Sequence, residues 1–270
     1  MKRLYSLAAF VLFSIAPFFG QGTNPPDAPS PVEQLVTEGG RLLMAGNINA
    51  ALEQFRQAHS LAPDNVEAII GLARAESQHV DNSGKADMQT QAEADYQKAL
   101  AMQPTAELYT ELGILFDSKQ DYASAIKAYR KALDLNPQLF DAEFGYGNAL
   151  VSIGDFDNAI SVYSKACAHS GSVHPGTTTG CGSIEILANR GWAYFKKQDC
   201  LSLSLAAKDL TDAVSLEPGN ADLHGRLGTV LMGEGMENRT VRTASKSARL
   251  TMSTRGPNSA LPLTSTARTS

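Results

Sequence analysis

The chain has 270 residues and a formal charge of −5, from 23 basic and 28 acidic side chains. With 43% apolar residues it is too hydrophobic for a wholly disordered chain, and three cysteines are too few for a disulfide-built miniature fold. Its mild acidity argues against a general nucleic-acid binder, but the charge is uneven: residues 237–270 carry +5, leaving −10 on residues 1–236.

Residues 1–22, MKRLYSLAAFVLFSIAPFFGQG, begin with Lys2 and Arg3, continue in an uncharged, largely apolar run and end in small residues. This is the three-part plan of a secretory signal with cleavage near Gly22. A spanning helix needs about 20 apolar residues, and Pro17 interrupts this run. The expected location is therefore periplasmic or secreted. Membrane attachment is the alternative if the segment stays uncleaved as an anchor. Residues 23–31, TNPPDAPSP, read as an extended proline-rich linker.

From residue 32 a period sets in. An alanine, a large apolar residue and a second alanine recur at i, i+4 and i+7: Ala51-Phe55-Ala58, Ala92-Tyr96-Ala99, Ala125-Tyr129-Ala132, Ala159-Tyr163-Ala166 and Ala206-Leu210-Ala213. That spacing puts each trio on one helix face. Prolines at 63, 104, 137 and 218 follow four of the trios and end those helices. Upstream of each trio lies another helical segment with a small residue inside: Gly39, Ala73, Gly113, Gly147 and Gly191, then Gly228 in a last segment. Glycine inside a helix costs about 1 kcal/mol relative to alanine. Five such glycines imply a gain elsewhere, most simply close helix packing. Gly46-Asn47, Gln120-Asp121, Gly154-Asp155 and Gln198-Asp199 mark the turns between paired helices.

In this register the segments resemble tetratricopeptide repeats. Residues 106–139 carry all eight signature positions of that family, at Tyr109, Leu112, Gly113, Phe116, Ala125, Tyr129, Ala132 and Pro137. The resemblance implies an all-α, right-handed superhelical solenoid of antiparallel helix pairs over residues 32–236. Six units begin near Val32, Val66, Ala106, Phe140, Ile184 and Ala221, the last incomplete. Three units exceed 34 residues, with inserts around Asp81–Gly84, His169–Ser183 and Cys200–Leu203, which are expected in loops. Residues 237–270 hold 13 Ser/Thr and no aromatic residue, a composition that favours a disordered basic tail.

The resemblance further implies a concave groove, lined by the first helix of each pair, that binds a peptide or protein partner. Carried over unit by unit, its lining is Thr110, Ile114 and Asp117; Phe144, Asn148 and Val151; and Trp192, Phe195 and Lys196. Glu33, Glu67, Glu107, Asp141, Glu185 and Asp222 recur at the second position of each first helix. They read as first-turn capping or as an acidic ladder for a basic partner. Val36 and Gly40 stand where co-chaperone members carry a carboxylate-holding Lys and Asn, so that clamp is not expected.

Cys167 and Cys181 are the candidate disulfide, which would staple the fourth unit's insert in an exported protein. A zinc site from Cys167, His169, His174 and Cys181 is the weaker alternative, because the spacing fits no compact knuckle. No metal, cofactor or catalytic motif is expected, and no nucleic-acid partner. The expected function is a non-catalytic protein-interaction scaffold. The alternative is a structural subunit that self-associates through its incomplete C-terminal end.

Overall fold

The computed structural model describes residues 29–79, 85–169, 177–233 and 235. The signal segment, linker residues 23–28 and the tail beyond 236 lie outside the described residues. So do Asp81–Gly84 of the second unit's insert and residues 170–176, His174 included, of the fourth.

Among the described residues there are eleven α-helices and no strand. They are α1 (Pro31–Met44), α2 (Ile48–Leu61), α3 (Val66–Ser77), α4 (Lys85–Met102), α5 (Ala106–Ser118), α6 (Tyr122–Leu135), α7 (Phe140–Ser152), α8 (Phe156–His169), α9 (Ile184–Lys197), α10 (Cys200–Leu216) and α11 (221–233). Odd-numbered helices are the first of each pair and even-numbered ones the second.

Local chemistry sets the helix starts. Asn65, Thr105, Asp121, Ser183 and Asp199 each accept a backbone N–H of the following first turn with their side chains. Ser30 and Glu33 form a reciprocal capping box, with Pro31 at the first helical position. The first helix thus begins one residue inside the expected linker, because a proline at that position needs no hydrogen bond and has its φ preset. The turns between paired helices place one residue in the left-handed region: Gly46 (φ 77°), Gln120 (φ 60°), Gly154 (φ 82°) and Gln198 (φ 58°). In the first three, the next N–H reaches back to the carbonyl of Leu42, Phe116 or Leu150, closing the helix end.

Packing follows from the alanine–aromatic–alanine trios. All ten trio alanines are fully buried, and Phe55, Tyr96, Tyr129, Tyr163 and Leu210 are at most 3% exposed. Each ring lies against its own first helix and the next unit's. A Cβ on Gly39 or Gly71 would fall within 3.0 Å of the Phe55 ring. Gly113 and Gly145 flank Tyr129 in the same way, and Gly147 abuts Tyr163. The glycines therefore let two first helices close on one ring. Gly228 does not fit this expectation: nothing lies within 4 Å of its Cβ direction, since no second helix follows α11 among the described residues. First helices of successive units touch (α1 with α3, α5 with α7, α7 with α9), whereas no two second helices pack comparably. The stack therefore curves with the first helices inside.

The extra residues around Cys200–Leu203 are not a loop. They lengthen α10 to 17 residues at its N-terminus, where Asp199 caps Ser202 and Leu203 packs inward.

Gly145→Ala would bring a methyl to 2.4 Å from Tyr129 Cζ, and overpacking of this kind costs about 1–3 kcal/mol. Gly40→Ala, with nothing within 4 Å, should instead gain up to about 1 kcal/mol of helix propensity. Urea unfolding of the two variants should show opposite shifts of the midpoint.

Candidate partner-binding groove

The inner face is built from helix positions that repeat from unit to unit. The ninth residue of the first helix is Arg74, Ile114, Asn148 and Trp192 in units two to five. Ile114 is 53% exposed, whereas the other three are half-buried. Asp117 takes a hydrogen bond from the Tyr129 hydroxyl at 2.7 Å on Oδ2 while its Oδ1 is buried without a partner. Burial pushes the Asp117 carboxyl up against the lowering effect of that bond. One unit on, Asn148 Oδ1 accepts from the Tyr163 hydroxyl at 2.6 Å and from Asn189 Nδ2 at 2.9 Å. The polar tips of the buried rings thus end on groove residues and orient them.

The aromatic part of the face lies in units four and five. Phe144 is half-buried, stacked on Phe140 with centroids 6.1 Å apart and 6.5 Å from Tyr163. Val151 is half-buried on the same helix. Trp192 and Phe195 are in ring contact at 5.0 Å. Lys196 Nζ lies 5.1 Å from the Trp192 ring centre, and the Arg226 guanidinium, from α11, lies 5.9 Å from it. Two cations beside one indole make a place where an aromatic surface meets positive charge. Thr110 departs from the expected lining. It is 4% exposed and its hydroxyl donates to the Ala106 carbonyl at 2.8 Å, so its side chain is folded back into the helix.

The sixth position of the first helix was not singled out in the sequence, yet it faces the groove where units meet. It is Gly71 and Gly145 against Phe55 and Tyr129 in units two and four, but Glu111, Asn189 and Arg226 in units three, five and six. Glu111 pairs with Arg74 through two hydrogen bonds of 2.7 and 2.9 Å. Beside that pair a cleft of about 300 Å³ is lined by Arg74, Ser77, Tyr96, Glu111, Ile114 and Ser118. Comparing the units column by column would have exposed this alternation of glycine with polar residues.

The recurring acids at the second position work locally where bonds are formed. Glu33 accepts from the Ser30 N–H, Glu185 from the Ser183 hydroxyl, and Asp222 pairs with Arg226.

The fourth and fifth units carry buried charge that the repeat pattern conceals. Arg190 stands in the register of Leu112 and Tyr146 and makes two 2.7 Å bonds to Asp209, with both side chains at most 10% exposed. Asp212 receives the N–H and hydroxyl groups of Thr178 and Thr179 at 2.7–3.2 Å. Burial raises its carboxyl, but those donors outweigh it and leave the group below the usual carboxylate range. Cys167 and Cys181 are bonded, with Cα atoms 5.0 Å apart. His169 Nδ1 is 2.8 Å from the buried Glu143, so the zinc alternative loses these ligands to other partners. No cluster of three metal-ligating side chains occurs among the described residues.

A tetratricopeptide-repeat family model matches residues 90–139 and 110–173. A crystal structure of the protein MamA superposes with a TM-score of 0.55 at 22% identity, covering 71% of this chain and 94% of that one. YrrB, described as a TPR protein with an unusual peptide-binding site, superposes at 0.52 and 20% identity, covering 70% and 87%. No curated protein matches the chain in sequence. At these identities the likeness is one of fold, and the chain is an all-α tetratricopeptide-repeat solenoid. No helix among the described residues is long and apolar enough to cross a membrane.

Removing one partner of a buried ion pair costs about 3–5 kcal/mol, because the other charge stays buried. Asp209→Ala should therefore destabilise the fifth unit by that amount, and the double change Arg190→Leu, Asp209→Leu by much less. Thermal unfolding of the three proteins measures the difference.

Proposed function

We propose that the chain is a non-catalytic scaffold that holds a peptide or protein partner along the inner face of its solenoid. The observation that carries this reading is the exposed-to-half-buried series Ile114, Asp117, Phe144, Asn148, Val151, Trp192, Phe195 and Lys196. It runs along one side of successive first helices, with Asp117 and Asn148 oriented by buried tyrosine hydroxyls. Pre-oriented polar groups bind at lower ordering cost, and a rigid indole beside a second ring is the kind of anchor that dominates binding energy. The cations around Trp192 favour a ligand segment that combines an aromatic or aliphatic side chain with a carboxylate. The peptide-binding activity stated for YrrB is consistent with this use of the fold.

The proposed setting is an exported one. A Cys167–Cys181 bridge persists in an oxidising compartment, where it ties α8 to the segment that Asp212 anchors.

Selection from a displayed peptide library on the full chain should enrich a shared motif. Trp192→Ala should weaken that ligand at least tenfold by calorimetry, and Lys127→Ala, on a second helix, should leave it unchanged. Equal affinity for Trp192→Ala and the parent would end the groove reading.

A second reading, self-association through the C-terminal end, is favoured by one observation. On α11, Val230 is buried, but Leu231 is 49% and Met232 62% exposed, with no second helix described beyond them. If that end pairs with a second copy, light scattering should give a dimer mass that Leu231→Ser with Met232→Ser reduces to a monomer.

A further inference from the structure

A separate cleft of about 310 Å³ opens between α2, α3 and α4, away from the groove. It is lined by Arg56 and His59 from α2, Leu72 and Glu76 from α3, and Gln91 and Asp95 from α4. Residues two apart on a helix point in nearly opposite directions, so Arg74 faces the groove cleft while Glu76 faces this one. Glu76 is 4% exposed and its Oε2 is buried without a hydrogen-bond partner. His59 Nδ1, on the facing helix, is buried without a partner as well. Arg56 lowers the Glu76 carboxyl by its charge, but no ion pair joins the two. A buried carboxylate oxygen aimed into a cleft with nothing to accept from is the signature of a missing donor.

We propose that this cleft binds a primary ammonium group, anchored by Glu76, with Asp95 and His59 lining the same cleft and Leu72 against the adjoining methylenes. Glu76 is the anchoring acceptor, and Asp95 on another helix adds negative charge, which a compact ammonium can meet without the planar two-point geometry a guanidinium requires. A metal is not favoured, since no group of three ligating side chains is close enough among the described residues.

The charge around the cleft makes binding pH-dependent. Facing Glu76 and Asp95 are Arg56 and His59 from α2 and Lys98 from α4. Burial, then the Asp95 charge, raises the Glu76 carboxyl to about 7, with Arg56 opposing. An alkyl ammonium stays charged across this range. Its binding favours ionised Glu76, so affinity rises with pH, by about tenfold between pH 6 and pH 8.

The test uses the full chain and two probes, the blocked peptide acetyl-Gly-Lys-Gly-amide and 1,5-diaminopentane, titrated by NMR with carbon-13 detection of glutamate carboxyls. Saturable binding is expected, lost on acetylating the lysine, at least tenfold weaker in Glu76→Gln and unchanged in Asp134→Asn, an exposed site on α6. Saturating probe should also lower the titration midpoint of Glu76 in the parent protein, a readout that needs no variant to fold. Tighter binding of the peptide identifies a partner's lysine as the source, and tighter binding of the diamine identifies a free amine; both uphold the site. Equal affinity of Glu76→Gln and the parent, or an unmoved midpoint, overturns it. Neither result depends on the groove.

Discussion

One large side chain clamped between two first helices organises the whole stack. Phe55, Tyr96, Tyr129, Tyr163 and Leu210 each stand on a second helix and fill the gap between their own unit's first helix and the next. Contact at 2.2–3.0 Å of a would-be Cβ from the ring means that glycine at these sites is required by volume rather than by backbone conformation. Each ring therefore joins two units, and curvature follows, because first helices meet one another while second helices diverge.

The same contact generates the chemistry of the inner face. A tyrosine clamped this way delivers its hydroxyl to the groove side, where Asp117 or Asn148 must receive it. Where the following unit carries glycine, the ring is simply covered. Where it carries Glu111 or Asn189, the junction gains a polar group, and that group finds Arg74 or Asn148. Groove residues are thus held by the packing, which is why a repeat array can present a rigid surface over several units.

The fourth and fifth units show what happens when the pattern is broken. Arg190 replaces an apolar residue at a buried position and is tolerated because Asp209 meets it with two bonds. Asp212, buried on the next turn of α10, collects four donors from Thr178 and Thr179, and the sulfur bridge fixes the same segment from α8. An irregular insert is in this way tied at both sides to regular helices. None of these partners is adjacent in sequence, and each lies on a different helix or loop, so no local pattern announces them.

Helix identity, unit boundaries and the buried faces were legible in the sequence, because the i, i+4, i+7 trios and the prolines that follow them are local and periodic. Which glycine mates with which ring was half legible: Gly39, Gly113 and Gly147 stand in register, whereas Gly71 and Gly145 belong to the neighbouring unit and acquire their role only when units stack. Thr110, expected in the groove lining, is buried instead, and only the folded helix shows its hydroxyl turned back to a carbonyl. The buried ions Glu76, Arg190, Asp209 and Asp212 were not legible at all. On a helix surface a charged residue reads as solvated, and burial is decided by which neighbouring helix lies over it. Periodicity along the chain sets the helices and their apolar stripes; proximity across units, which sequence spacing does not encode, decides which polar groups are enclosed and what they face.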